Sequence, residues 1–195
     1  MNYLSTVKGY ENPRYGMLKD PSFNLLTKSF PKEFNRQVEQ QLASNTDYNA
    51  IFSFVKRIVK ISTGNERVGI GLALADLPSQ LGAYWEVGGN FIVMNENLLR
   101  ALKSMNRSTE EINSFIFVIL MHEYLHSVGF LNEGSARGIT AEICSHLFFT
   151  DHPAYVLGTT DPWKVYPFLI MTPTRGNGEI RIVSNFDMNS TPYIV

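Results

Sequence analysis

The spacing of apolar residues predicts a helical first part of the chain. Within residues 31–61, apolar positions recur three or four residues apart, as Phe52, Val55 and Ile58 illustrate. This spacing places them on one face of a helix. The turn-forming residues around Asn45 predict a break between two helices. Residues 1–30 show no such period and predict an irregular N-terminal arm.

Shorter apolar runs in the centre of the chain predict strands. The run "RVGIGLALA" is rich in small and β-branched residues and predicts one strand over residues 67–75. The run "AYWEVGGNFIVM" over residues 83–94 predicts a hairpin that turns at Gly88–Gly89. Beyond residue 150 the pattern predicts loops and short strands. The chain is therefore expected to form one α+β domain.

A third pattern predicts a buried helix over residues 109–128. Ser108 and Glu111 have the spacing of a capping box at its start, and Gly129 stands where a left-handed residue would end it. The helix is apolar on nearly every face, which is typical of a helix inside a core. It nevertheless contains the motif "HEYLH", His122 to His126.

The spacing of this motif suits a metal ion and a general base. Residues four apart on a helix differ by about 40° around the axis, so His122 and His126 point the same way, whereas Glu123 lies about 100° from His122. Two imidazoles can thus bind one Zn²⁺ ion, with Glu123 close enough to act on water. The alternative is that these polar residues merely share a helix, but burying three ionisable groups is costly unless they are paired or hold a metal.

The motif, together with the preceding hairpin and "NFIVMNENLL", resembles the zincin class of metallopeptidases. The resemblance implies a small mixed or antiparallel sheet over an HExxH active-site helix and a second, glutamate-bearing helix. It also implies a catalytic core over residues 67–149, and a peptide or protein substrate that adds to the sheet as another strand. The strand expected to bind this substrate comprises Asn90, Phe91, Ile92, Val93 and Met94.

The third zinc ligand is expected on the following helix. The metzincin extension HExxHxxGxxH is broken by Asn132, because asparagine is a poor zinc ligand. Resemblance to the gluzincin branch, and most of all to archaeal minigluzincins, implies a glutamate on a later helix, and Glu142 in "GITAEICSHLF" is the candidate. Glu133 is considered too close behind His126, beyond the turn at Gly129, for this role.

Three further residues are candidates for accessory roles. His146 is an alternative third ligand, and it also stands where the gluzincin pattern NExxSD has the aspartate that orients a ligand histidine. The same pattern's asparagine is replaced here by Ala141. His152 and Tyr155 in "DHPAY" are candidate donors to an oxyanion, with an ordinary loop role as the slightly favoured alternative.

Composition narrows the class of partner. Seventeen basic and eighteen acidic residues give a net charge of −1, which does not indicate nucleic-acid binding. The longest strongly apolar run, Phe115–Met121, is far shorter than the roughly 20 residues of a membrane span. The first residues lack the pattern of a secretory signal, and the single Cys144 excludes an internal disulfide. A cytoplasmic protein is expected, and the sequence does not indicate its oligomeric state.

The sequence therefore predicts a zinc-dependent peptidase with Glu123 as general base. A rival hypothesis is a catalytically inactive or latent zincin-fold scaffold or binding protein that zinc stabilises. In that case residues 150–195, and the tail 185–195 in particular, would cover the cleft. A structural domain without metal is the remaining alternative.

Overall fold

The computed structural model describes residues 30–173 and 179–187. These residues form an α+β fold of seven α-helices, one 3₁₀ helix and a four-stranded mixed sheet. In chain order the elements are α1 (Lys32–Ala43), α2 (Tyr48–Thr63), β1 (Gly71–Ala75), β2 (Ala83–Trp85), β3 (Phe91–Asn95), α3 (Glu96–Ser104), α4 (Thr109–Ser127), α5 (Glu133–Leu147), α6 (Pro153–Thr159), α7 (Pro162–Val165), the 3₁₀ helix (Pro167–Met171) and β4 (Ile180–Ile182). The predictions for residues 1–29 and 188–195 lie outside the described residues.

Local signals account for where the first helices begin and end. The break predicted near Asn45 falls between α1 and α2. The Asp47 carboxylate caps α2 by accepting the Ala50 N–H at 2.7 Å, and Gly64 ends it with a φ of 74°. This left-handed conformation favours glycine because it has no Cβ.

The sheet has the order β2-β3-β1-β4, with β1 and β3 parallel and both outer strands antiparallel to their neighbours. The strand β3 therefore hydrogen-bonds to β1 on one edge and to β2 on the other. It offers no free edge to a substrate, contrary to the prediction for Asn90, Phe91, Ile92, Val93 and Met94. The edge strand on this side of the sheet is β2.

The core lies between one face of the sheet and the helices α2 and α4. Apolar side chains of β1 and β3 join those of α2 and α4 in one buried cluster, which includes Leu72, Met94, Phe52 and Phe117. The helix α4 is buried on nearly every side and starts with the expected capping box between Ser108 and Glu111. Within residues 30–173 and 179–187, no helix is both long and apolar enough to cross a membrane.

The segment from residue 150 contains helices where loops were predicted. A proline occupies the first turn of α6, of α7 and of the 3₁₀ helix. The N–H groups of a helix's first turn have no partner within the helix, so the N–H that proline lacks is not missed there. The fixed φ of proline also suits a helix start. These prolines begin helices in a segment for which the sequence pattern predicted loops and short strands.

Asn95, at the end of β3, fixes the loop that leads into the edge strand β2. Its side chain is fully buried, and its Nδ2 lies 2.9–3.1 Å from the carbonyl oxygens of Leu77, Pro78 and Leu81. Its Oδ1 accepts the N–H of Asn97 at 3.1 Å and so caps α3. One buried amide thus holds the entry to β2 and the start of α3 together.

Asn95→Ala should lower the free energy of unfolding by about 2–4 kcal/mol, because three partly buried carbonyl groups lose their donor and α3 loses its cap. Chemical denaturation measures this change. The control is Asn45→Ala, at an exposed position in the α1–α2 connection, which should cost less than about 0.5 kcal/mol. Equal losses in the two variants would contradict the role assigned to Asn95.

Candidate metal centre

The two histidines of the motif lie on the last turns of α4 and face each other. Their Nε2 atoms are 3.1 Å apart, and their side chains are 17% and 15% exposed for His122 and His126. Both rings therefore reach the surface of a helix that is otherwise buried. Four-residue spacing on one helix is sufficient for this convergence.

The turn that ends α4 orients His126. Gly129 adopts a φ of 110°, the N–H of Phe130 donates to the Leu125 carbonyl at 3.0 Å, and the N–H of Gly129 donates to the His126 carbonyl at 3.1 Å. This pair of bonds is the Schellman arrangement. It directs the Phe130 carbonyl at His126 Nδ1, 2.8 Å away. Since a carbonyl can only accept, Nδ1 carries a proton, and Nε2 is the ring nitrogen that faces the site.

The same turn returns the chain so that Glu133 meets both histidines. Asn132 caps α5 by accepting the Ser135 N–H at 3.0 Å, which makes Glu133 the first residue of that helix. Its Oε2 lies 3.3 Å from Nε2 of His122 and 3.3 Å from Nε2 of His126. Arg137, one turn further along α5, donates from Nε to the other carboxylate oxygen at 2.8 Å.

The three donor atoms fit the face of a small tetrahedral site. His122, His126 and Glu133 each offer a ligand atom, and these atoms lie within 4.8 Å of one another. Donors about 2.0–2.2 Å from one tetrahedral ion are themselves about 3.3–3.6 Å apart. The observed separations of 3.1, 3.3 and 3.3 Å are close to that spacing. Two imidazoles and one carboxylate could therefore hold a divalent metal ion.

The electrostatics of the cluster require a proton or a metal ion between the imidazoles and Glu133. The pKa of Glu133 lies far below its ordinary value because of its hydrogen bonds to His122 and His126, which outweigh burial, with a further bond from Arg137. Burial by itself lowers the pKa of His126, but the bond to Glu133, the charge on Glu123 and the Phe130 carbonyl outweigh it and raise this pKa. An imidazole Nε2 lone pair and the Glu133 carboxylate oxygen repel each other at this distance. A proton or a metal ion must therefore lie between them.

Glu123 lies behind the histidines in a more apolar setting. It is 8% exposed, and burial raises its pKa, while the charges of His122 and His126 act in the opposite direction. A hydrogen bond with the backbone of Trp85 also lowers this pKa. The contact connects the carboxylate to β2. Glu123 thus lies between the metal-ligand candidates and the edge strand.

The register of β2 and β3 determines which backbone groups of β2 point away from β3, to the outer edge of the sheet. The N–H of Asn95 donates to the Gly82 carbonyl at 2.9 Å, so residues 82 and 95 form a hydrogen-bonded pair. In an antiparallel register such pairs alternate, which makes Tyr84 and Val93 the next bonded pair. The backbone groups of Ala83 and Trp85 therefore point to the outer edge, where no strand of residues 30–173 or 179–187 pairs with them.

Glu142 and His146 do not join the cluster. Glu142 lies nine residues after Glu133 on α5, about 13 Å along the helix axis. His146 lies a further turn away, with its Nδ1 2.8 Å from the Glu142 carbonyl, and its own carbonyl accepts from Asn35 of α1. Glu142, the predicted third ligand, is therefore distant from the histidines, because α5 begins directly at the site and then leads away from it.

His152 and Tyr155 lie at the start of α6 and within it, and neither joins the cluster. The Nδ1 of His152 caps α6 by accepting the Ala154 N–H at 3.1 Å, and its ring stacks on Phe148. Its Nε2 is 3.4 Å from Glu110 in the first turn of α4, at the opposite end of the helix from the cluster. Tyr155 is a half-buried residue of α6 packed against the core. The structure thus gives His152 packing and capping contacts and gives Tyr155 packing contacts.

Sequence reasoning predicted the hairpin of β2 and β3, but it missed Glu133 as a candidate ligand and β2 as the edge strand. The signal for Glu133 was available in the succession Gly129, Asn132 and Glu133: a glycine that reverses the chain, a helix cap, and an acidic first residue. The sequence interpretation took the turn at Gly129 to keep Glu133 away from His126. A Schellman turn instead folds the chain back over the last turn of its helix. The sequence carried no signal for the edge position of β2, because strand order depends on contacts distant in sequence.

Comparison with known proteins identifies no relative. No family model matches the chain, and no curated protein and no solved structure matches it. Any functional conclusion therefore depends on the geometry of the site.

Gly129→Ala should lower the free energy of unfolding by about 1–2 kcal/mol, because an L residue is strained at positive φ. The control is Gly138→Ala in α5, where an added Cβ meets no atom within 4 Å. That variant should raise stability by about 0.5–1 kcal/mol, since alanine is the better helix former. Thermal denaturation of both variants provides the comparison. A neutral Gly129→Ala would contradict the role of the turn.

Proposed function

We propose that the chain is a zinc-dependent peptidase whose active site is built on the zincin plan, with Glu123 as the general base. The observation that carries this proposal is the convergence of His122, His126 and Glu133 beside a buried carboxylate and an edge strand. Each component is common by itself, but metal-assisted hydrolysis of an extended peptide uses all of them together.

Zinc would be held by Nε2 of His122, Nε2 of His126 and the carboxylate of Glu133. This donor set of two histidines and one glutamate is typical of catalytic zinc, because it leaves a fourth position for water or substrate. Bound there, zinc would supply Lewis acidity, which makes water a stronger acid and polarises a peptide carbonyl. Phe130 and Arg137 support two of the ligands from behind, as outer hydrogen bonds do in metal sites.

Glu123 would move the proton. Its burial favours the neutral form while the neighbouring histidines favour the carboxylate, so it can accept a proton from water and release it again. It would then deliver that proton to the nitrogen of the leaving amine. Its position next to Trp85 brings it within reach of a substrate that lies along β2.

The substrate would be an extended peptide on the outer edge of β2. The N–H and C=O groups of Ala83 and the C=O group of Trp85 point in that direction, and an extended backbone can pair with them as an additional strand. The Trp85 N–H is hydrogen-bonded to Glu123. A scissile bond held along this edge would pass in front of Glu123. This arrangement selects for unfolded or loop segments over folded surfaces.

Glu123→Gln should bind zinc as tightly as the natural chain but lose hydrolysis by about 10²–10⁴-fold, the usual contribution of a general base. Fluorescein-labelled casein is a suitable unfolded probe, with zinc content measured in the same samples. Full activity in the variant would overturn the mechanism. A natural chain that binds zinc but leaves casein intact would favour the scaffold hypothesis instead.

Glu133→Gln should weaken zinc binding by more than about 100-fold, since even outer hydrogen-bond partners of a metal site contribute 10–100-fold. The matched control is Glu142→Gln on the same helix, which should leave zinc affinity unchanged. Competition with a chromophoric chelator measures both. The opposite result would restore Glu142 as the third ligand.

A further inference from the structure

Arg67 connects the end of the HExxH helix to the turn that follows the edge strand. The half-buried guanidinium donates from Nη1 to the Ser127 carbonyl at 3.3 Å, which is one of the last carbonyls of α4. Its Nη2 donates to the Gly89 carbonyl at 2.8 Å and to Asn90 Oδ1 at 3.0 Å, in the β2–β3 turn. One side chain thus bridges the two elements on either side of the proposed cleft.

The backbone of Arg67 is fixed to α4 independently of its side chain. Its N–H donates to the Tyr124 hydroxyl at 2.8 Å, and the same hydroxyl donates to its carbonyl at 2.9 Å. Tyr124 is fully buried and directly follows Glu123 in the sequence. Any displacement of Arg67 relative to α4 would break two bonds to a residue that cannot move in the core.

The guanidinium also holds Trp85, the residue of β2 that contacts Glu123. The Arg67 Cζ lies 5.2 Å from the centre of the Trp85 ring, within the range of a cation–π interaction. The Trp85 Nε1 donates to the Gly89 carbonyl at 2.8 Å, the same oxygen that Arg67 binds. Trp85, Gly89 and Arg67 therefore form one unit at the end of β2.

We propose that Arg67 is a positioning residue that fixes the spacing between the active-site helix α4 and the substrate edge of β2. The proposal rests on the proposed function for its catalytic meaning. Arginine suits the role because its planar fork binds Ser127 and Gly89 at once while its face stacks on Trp85. Lysine can supply a cation over the ring but cannot bridge both carbonyls with fixed geometry.

Hydrogen–deuterium exchange of the full chain tests directly whether Arg67 holds β2 against α4, and it does not depend on catalytic turnover. Arg67→Ala should accelerate exchange in residues 83–90 by about tenfold, as local opening becomes easier, and Arg67→Lys should lie between this variant and the natural chain. Tyr124→Phe preserves the buried ring while it removes the backbone anchor, and should also accelerate exchange there.

The matched control is Arg107→Ala. Arg107 also stacks on an aromatic ring, with its Cζ 5.2 Å from the centre of Tyr166, but it precedes the first turn of α4, at the end of the helix away from the cluster. This variant should leave exchange in residues 83–90 unchanged. It separates the specific effect at β2 from the general loss of an arginine–aromatic contact.

Casein hydrolysis by the same variants tests the catalytic meaning. Arg67→Ala should lower kcat/KM by about 10–100-fold, because small displacements of a bound substrate have effects of this size, whereas zinc affinity should stay unchanged. Arg107→Ala should keep full activity. Loss of zinc in Arg67→Ala would assign Arg67 to the metal site and overturn the proposal.

Two results separate this inference from the proposed function. Unchanged exchange in both Arg67 variants, or equal acceleration in Arg107→Ala, would overturn the positioning role whatever the activity. If the zinc-loaded natural chain does not hydrolyse casein, the proposed function fails and the catalytic role of Arg67 fails with it. Accelerated exchange in Arg67→Ala would still support its contact between α4 and β2.

Discussion

The contact between His126 Nδ1 and the Phe130 carbonyl is the interaction on which the candidate site depends. It assigns the proton to Nδ1 and leaves Nε2 as the atom that faces His122 and Glu133. The carbonyl can reach the ring only because Gly129 adopts a positive φ and turns the chain back over α4. The same reversal delivers Glu133, so a single turn both orients one candidate ligand and introduces another.

Two independent supports hold the end of α4 around this turn. The Schellman bonds act on the side of α5, and Arg67 acts on the side of the sheet by binding the Ser127 carbonyl. A cation near the last carbonyls of a helix is also favoured by the helix dipole. The end of α4 is therefore constrained from both sides, although a helix end with exposed carbonyls would otherwise fray. A site that needs fixed distances between three donors benefits from such a rigid support.

The parts of this structure that the sequence predicted are those that local chemistry determines. The capping box at Ser108, the break near Asn45 and the convergence of His122 and His126 each depend on residues within a few positions of one another. The order of the strands and the position of α5 relative to α4 depend on packing between distant segments, which spacing alone does not encode. Glu133 is an intermediate case. The residues that indicate its position, Gly129 and Asn132, are close to it in sequence, but their interpretation required knowing in which direction the chain continues after Gly129.

The two carboxylates at the site show how environment separates their chemistry. Glu133 is half exposed and binds two imidazoles and a guanidinium, so its pKa is depressed and it persists as an anion. Glu123 is buried, so its pKa is raised, and it can hold a proton. An anion that does not readily protonate is suited to metal binding, whereas a group that accepts and releases a proton is suited to general base catalysis. The proposed roles of Glu133 as ligand and Glu123 as base are therefore supported by their surroundings as well as by their positions on α5 and α4.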